Sequence, residues 1–268
     1  MLADGYNKGA MRSLALVLSI ACVLVRAQPQ QVVLPFSCSA EDIDMLGLSC
    51  SPEEPCPVFL ELTSVESAGA RLFLAGNFHT QRNTLYSILL SSEDGGRTWT
   101  EPHPRIRSAG FDQIQFVDFQ HGFVSGGIVG SLPRDPFLLV TTDGGKSFRD
   151  RPVFDEGRIG MIAQFYFDSK SNGTLLFDRT KRPEDGNRYE LHETMTGGDT
   201  WLPKQFSARP LALKKAQLTA EVRGWRIHED PRSKTIRVEQ KTDKWIPVAV
   251  FPIRAGDCQP PEPKPSAQ

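Results

Sequence analysis

The sequence lacks a charge excess of either sign. It carries 31 lysines and arginines against 32 aspartates and glutamates in 268 residues, a formal net charge of −1. With no basic run or patch, it offers no electrostatic footprint for nucleic acid. Paired metal-ligand spacings are missing too. The histidines at 79, 103, 121, 192 and 228 stand alone, and no CxxC pair occurs, so the common zinc frameworks are excluded and no metal is expected. There is no GxSxG nucleophile elbow; the serine in FVSGG (123–127) falls inside a strand pattern. No pattern calls for a cofactor. Helical periodicity sustained over three turns is absent, apart from a short stretch over 40–48 behind Ser39. The longest apolar run, Leu14 to Val25, is about a dozen residues, too short to span a bilayer comfortably.

That run has a different use. Arg12 precedes it, and Val25-Arg26-Ala27 fits the small-residue pattern before a signal-peptidase cut. Residues 1–27 are therefore expected to be a cleaved export signal, giving a periplasmic or extracellular protein. Cys22, in Ser19-Ile20-Ala21-Cys22, is only a partial lipidation box. Four further cysteines remain, Cys38, Cys50, Cys56 and Cys258. An even count in an exported chain suggests two disulfides. The sequence leaves three pairings open. The preferred one joins Cys50 to Cys56 across SPEEP and Cys38 to Cys258, closing a very long loop, where a cross-link restricts the unfolded chain most.

Three stretches repeat: SEDGGRTW (92–99), TTDGGKSF (141–148) and TMTGGDTW (194–201). The aromatics that end them, Trp99, Phe148 and Trp201, recur about every 50 residues, the period of a propeller blade. Trp245, in KTDKWIPVAVF, extends the series without the glycines. Each period resolves into four short runs rich in β-branched, aromatic and aliphatic residues, separated by polar or glycine breaks. The first holds 58–65, 71–78, 84–91 and 98–102; the second 113–119, 122–128, 136–141 and 147–153; the third 160–168, 173–179, 188–194 and 200–206. The fourth, weaker, holds 217–223, 225–230, 235–240 and 244–251. This predicts an all-β chain, a β-propeller of four-stranded antiparallel blades. Four blades are counted, and a fifth would need QVVLPF (31–36). Residues 28–56 form a cysteine-containing extension that wraps or closes the ring, 57–253 the propeller, and 254–268 a proline-rich tail.

Each repeated stretch sits between the third and fourth strands of its period, so its chemistry is that of a hairpin turn. Aspartate accepts backbone N–H groups further along the turn, and glycine takes positive φ freely. Ser92, Asp94, Gly96, Thr98 and Trp99 follow the pattern Ser/Thr-x-Asp-x-Gly-x-Ser/Thr-Trp/Phe, as do Thr141, Asp143, Gly145, Ser147 and Phe148. Thr194, Gly198, Thr200 and Trp201 follow it with Thr196 in place of aspartate. These stretches resemble Asp-box (BNR) repeats, the family found in sialidases, sortilin-type receptors and photosystem II assembly-factor-like propellers. QIQFVDFQHGFVSGG (113–127) is similar to the repeat unit of the last group. The resemblance implies turns at the blade periphery, away from any active face.

A sialidase needs three arginines to clamp a carboxylate, a Tyr–Glu nucleophile pair and an acid/base residue. The Phe/Tyr-Arg-Ile-Pro motif that the family carries ahead of its boxes is missing; His103-Pro104-Arg105-Ile106-Arg107 follows the first box instead. Tyr189 and Glu190 are adjacent, so a strand would point them to opposite faces. The expectation is therefore no enzyme, but an exported scaffold binding a protein partner, with a glycan ligand as the alternative. The loops at 77–83, 101–110, 128–136, 155–160 and 178–188 would form the ligand face. They carry His79, Arg82, Arg105, Arg107, Arg134, Asp135, Arg158 and Lys181, suited to an acidic protein segment or a carboxylated glycan. Asn172-Gly173-Thr174 matches a glycosylation sequon but reads first as a turn.

Overall fold

A computed structural model of the chain describes residues 29–180, 185–213 and 224–260, together with Met1. The expected export signal with Cys22, Lys181, the strand expected over 217–223 and the tail beyond Pro260 lie outside the described residues.

Two short strands come first, β1 (Gln30–Gln31) and β2 (Phe36–Ser37), followed by a helix, α1 (Ala40–Met45). The helix starts where Ser39 and Asp42 cap each other. The Ser39 hydroxyl accepts from the Asp42 N–H at 3.1 Å, and the Asp42 carboxylate accepts from the Ser39 N–H at 2.8 Å, satisfying two donors that a helix start leaves open. The repeating strands follow. Blade one has β3 (Cys56–Ala68), β4 (Arg71–His79) and β5 (Thr84–Ser92). Blade two has β6 (Ala109–Phe116), β7 (Gly122–Ile128), β8 (Arg134–Thr141) and β9 (Arg149–Pro152). Blade three has β10 (Met161–Phe167), β11 (Gly173–Asp178), β12 (Tyr189–Thr194) and β13 (Leu202–Ser207). Blade four has β14 (Trp225–Asp230), β15 (Thr235–Lys241) and β16 (Trp245–Pro252), and the chain returns to blade one as β17 (Arg254–Cys258).

Within each blade, consecutive strands pair antiparallel. β6 lies across β3–β5, β10 across β6–β8, and β14 beside β3. This is the radial repetition of a β-propeller, with four blades. Three apolar clusters fill the spaces between blades four and one, one and two, and two and three. Phe251, Val238 and Ile236 of blade four pack with Leu74, Phe78 and Ile88 of blade one. Phe73 meets Phe111, Phe116 and Phe148, and Phe123 stacks on Phe167.

Closure uses both ends of the described chain. β1 pairs in parallel with β16, giving blade four its fourth strand. β2 pairs in parallel with β17, which itself pairs antiparallel with β3. Cys38 is bonded to Cys258, and Cys50 to Cys56, the preferred pairing. Two expectations need correction. Residues 254–258, assigned to the tail, are a sheet strand. The strand expected over 98–102 shrinks to a single bridge between Ser91 and Thr100, because Pro102 and Pro104 supply no N–H to a ladder.

Candidate functional site

Antiparallel hairpins place alternate connections at opposite ends of each blade. The connections after β4, β7 and β11 share one end, the loop face. The three glycine-pair turns, after β5, β8 and β12, lie at the other.

In the first turn, Asp94 Oδ1 accepts from the N–H groups of Arg97 (3.0 Å) and Thr98 (2.9 Å), and Oδ2 accepts from the Thr98 hydroxyl at 2.7 Å. Ser92 Oγ accepts from the Gly96 N–H at 2.8 Å. Asp143, Ser147 and Thr141 repeat the set in the second turn. These bonds hold both carboxyls below the usual carboxylate range. The Thr98 N–H is the largest cause for Asp94. For Asp143, burial opposes the shift, but the Ser147 hydroxyl and N–H outweigh it and bring the carboxyl to about 2. In the third turn the Thr196 hydroxyl accepts from the Thr200 N–H at 2.9 Å, so one acceptor replaces two. The backbone is conserved all the same: the glycine pairs 95/96, 144/145 and 197/198 take φ between +70° and +90°. Trp99 Nε1 donates to the Gly96 carbonyl at 3.0 Å, whereas Trp201 Nε1 is buried without a partner among the described residues.

The second glycine of each turn faces the preceding blade. Gly96 lies under Val248 of blade four, Gly145 under Phe73 of blade one and Gly198 under Leu138 of blade two. Arginines reinforce two of these seams: Arg71 donates to the Gly144 carbonyl at 2.7 Å, and Arg151 to the Gly197 carbonyl at 2.9 Å. Side-chain amides join the blades further in. Asn77 pairs with both the N–H and the carbonyl of Phe111, Gln113 with those of Phe165, and Gln115 with those of Phe167. Each amide supplies the donor and acceptor of a missing neighbouring strand.

On the loop face the arginines divide into two groups. Arg105 makes a bidentate pair with Glu101 (2.9 and 2.7 Å) and stacks over Phe78 at 4.6 Å. Arg107 binds Glu41, Asp42 and the Tyr86 hydroxyl, fixing α1 to blade one. Arg158 binds the buried Glu190 at 2.7 Å and lies over Phe154. His79 turns to the Thr80 carbonyl. Arg82 and Arg134 are exposed, and among the described residues Arg82 has no carboxylate partner. Among the described carboxylates Arg134 reaches only Asp135, at 3.7 Å, a residue at φ +49° whose N–H donates to the Arg158 carbonyl.

Those two arginines line the same cavity, of about 580 Å³. Its walls come from the loops at 82–84 and 128–134, from Ser108, from Leu46 behind α1, and from Ile159. Leu46, Ile128, Val129, Leu132 and Ile159 give it an aliphatic part, beside the polar Asn83, Thr84, Ser108 and Ser131. Among the described residues that line it, none is aromatic and none is a carboxylate. A second cavity, of about 460 Å³, shares Arg82 and Asn83 with it and runs to Glu54 and Cys56. The structure thus brings the 77–83, 101–110 and 128–136 loops to one face, around Arg82 and Arg134.

Sequence reasoning missed two clusters of ionisable groups. Glu190 and His192 are buried on β12, with Arg158 and Arg179 (3.2 Å) on one Glu190 oxygen and His192 Nε2 (2.9 Å) on the other. The parity of YELHET was the available signal: its buried face carries Glu190, His192 and Thr194. Asp112, on β6, is reached by solvent yet hemmed in by protein. Burial and the charge of Glu61 raise its pKa. Among the described residues no group of three or more His, Cys, Asp or Glu is placed to hold a metal ion, and no helix is long and apolar enough to cross a membrane.

No protein-family model matches the chain, and no curated protein matches it significantly. Solved structures with partial similarity include YCF48 from Cyanidioschyzon merolae, at 14% identity and a TM-score of 0.33, covering 75% of this chain and 52% of that one. The GH74 xyloglucanase from Xanthomonas campestris is 16% identical with a TM-score of 0.37, covering 74% and 30%. The α-L-arabinanase of Penicillium chrysogenum is 10% identical with a TM-score of 0.39, covering 80% and 64%. The chain therefore spans less than two thirds of each of these proteins, and likenesses this distant carry no inference about activity.

Proposed function

We propose that the protein is an exported, non-catalytic Asp-box propeller that binds a protein partner at the loop-face cavity. The occupant is an extended segment combining aliphatic side chains with carboxylates. One observation carries the reading: two exposed arginines line a mixed cavity with aliphatic side chains beside them, while Arg105, Arg107 and Arg158 are already engaged by carboxylates of the chain itself. Guanidinium forks suit carboxylates, and the aliphatic part of the lining suits leucine-like side chains. Two disulfides suit an oxidising compartment. The test uses a fluorescein-labelled peptide of alternating glutamate and leucine, about eight residues long, against its glutamine and lysine counterparts. Arg82→Glu with Arg134→Glu should weaken binding of the acidic peptide about tenfold or more. Equal binding of all three peptides, or no loss in the double variant, overturns the reading.

A glycan-directed reading has one observation of its own. Asp112 and Glu61 place two carboxylates on the first strands of adjacent blades, with the Asp112 pKa raised, and glycoside hydrolysis needs a carboxylate pair of unequal acidity. Turnover of fluorogenic sialosides or arabinosides, abolished by Asp112→Asn, would favour it. Blank assays on both, with a blank glycan array, remove it.

A further inference from the structure

The cavity wall that carries Arg134 and Ile159 is anchored from behind. Ile159 forms a β-bridge with Arg134. The Asp135 N–H donates to the Arg158 carbonyl at 2.9 Å, and the Gly160 N–H to the Pro133 carbonyl at 2.8 Å. The side chain between them, Arg158, turns inward. It crosses the faces of Phe154 and Phe177 at 4.3 and 5.0 Å and ends on Glu190. Glu190 is held on its other oxygen by His192 Nε2, and the Phe154 ring stands edge-on to His192 at 5.2 Å. A continuous chain thus runs from a buried histidine to the wall of the binding cavity.

The far nitrogen of that histidine, Nδ1, is buried and has no hydrogen-bond partner among the described residues. A neutral ring tolerates this. With Nε2–H donating to Glu190, Nδ1 is a bare lone pair. A protonated ring does not, because its Nδ1–H becomes a buried donor without an acceptor. The charge balance points the same way. Glu190 already meets Arg158 and Arg179, the latter shared with the exposed Asp185, so a charged imidazole would add a third cation to the one buried carboxylate. The cross-strand neighbours of His192, Leu175 on β11 and Pro203 on β13, do not titrate, and the loop packed on its ring carries Arg158 together with the exposed Asp155 and Glu156.

We propose that His192 and Glu190 form an acid-sensitive support for the loop-face cavity: protonation of His192 weakens the Glu190–Arg158 anchor, loosens the 153–160 loop from Asp135, and lowers the affinity for the segment bound there. The ligand arm rests on the binding role proposed above; the opening itself does not. Burial, the largest effect on His192, disfavours its charged form, Arg158 acts in the same direction, and Glu190 opposes them, so the net shift is downward from 6.5. With its folded pKa depressed, the histidine contributes stability above about pH 6.5 that is lost as pH falls through that value towards the folded pKa.

The experiment compares hydrogen exchange at the Asp135 and Gly160 amides at about pH 7.5 and about pH 5.5, corrected for the intrinsic pH dependence of exchange. Wild-type protein is expected to lose protection by about fivefold or more at the lower pH, the low end of usual coupling factors. His192→Gln, which keeps a donor for Glu190 and cannot charge, should hold its protection unchanged. His192→Leu is the second variant should the first fold poorly. Protection that is the same at both pH values in wild type, or that falls equally in the variants, overturns the proposal. Affinity for the glutamate–leucine peptide is read in the same samples and should fall in parallel in wild type only. If exchange behaves as expected and the peptide binds at neither pH, the binding assignment fails and the acid-sensitive support stands.

Discussion

Replacing the second glycine of each repeated turn by alanine separates two effects that the turns combine. All three positions hold φ between +80° and +90°, where an L-residue costs about 1–2 kcal/mol. They differ in what the new methyl meets. At Gly145 it overlaps the ring of Phe73, a fully buried side chain held between Phe116 and Phe148. At Gly96 it comes within 3.3 Å of Val248, and at Gly198 within 3.4 Å of Leu138, distances a small shift accommodates. Overpacking against a fixed ring adds about 1–3 kcal/mol. Gly145→Ala should therefore cost about 2–5 kcal/mol in all, and Gly96→Ala and Gly198→Ala about 1–2 kcal/mol each. Urea unfolding followed by tryptophan fluorescence gives the three values on one scale. Equal losses at all three positions would mean that only backbone conformation matters, and would refute the argument that these turns seat one blade against the next. A double variant with Phe73→Leu should recover part of the Gly145→Ala loss.

Other outcomes follow from the same contacts. Gln115→Leu leaves the N–H and carbonyl of Phe167 buried without partners and should cost about 2–4 kcal/mol by the same measurement. Asp143→Ala should cost about 1 kcal/mol and leave peptide affinity unchanged. The Asp143 carboxyl is held near 2 in the folded state, below its ordinary 3.8, so its stabilisation is complete above about pH 4 and fades as pH falls towards 2. Asp143→Asn should flatten that part of the acid-unfolding curve. In the chain-entropy estimate, the 220-residue separation of Cys38 and Cys258 makes their bond worth about 5 kcal/mol. The short Cys50–Cys56 loop comes to about 2 kcal/mol, so serine pairs at the two sites should differ in melting temperature in that order.

Much of the fold was legible because propellers write their period into their turns. The glycine pairs announced three blades, and alternating or continuous apolar runs placed most of the strands within a few residues of β3–β16. Closure was harder to read. β1 and β17 are short, and each is defined by a partner more than 190 residues away, so no local pattern in QVVLPF or RAGDC marks them. The seams between blades were hidden for a related reason. Asn77, Gln113 and Gln115 look like ordinary polar strand residues until the backbone of the next blade lies beside them. At the loop face, composition identified the arginines but not their partners. Only the fold shows that Glu101, Glu41 and Glu190 engage three of them, leaving Arg82 and Arg134 beside aliphatic side chains in a mixed cavity.

The way the ring is closed sets a timetable for its synthesis. Blades two and three can form as the chain emerges, since their strands are consecutive, whereas blade one is completed only by β17. Cys38 has to wait for a partner 220 residues downstream, roughly 10–45 seconds at ordinary elongation rates of about 5–20 residues per second. During that interval Cys50 and Cys56 are the thiols within reach, and they also need each other. Prompt closure of the Cys50–Cys56 loop therefore protects Cys38 from a wrong pairing, and its first service is to the order of assembly.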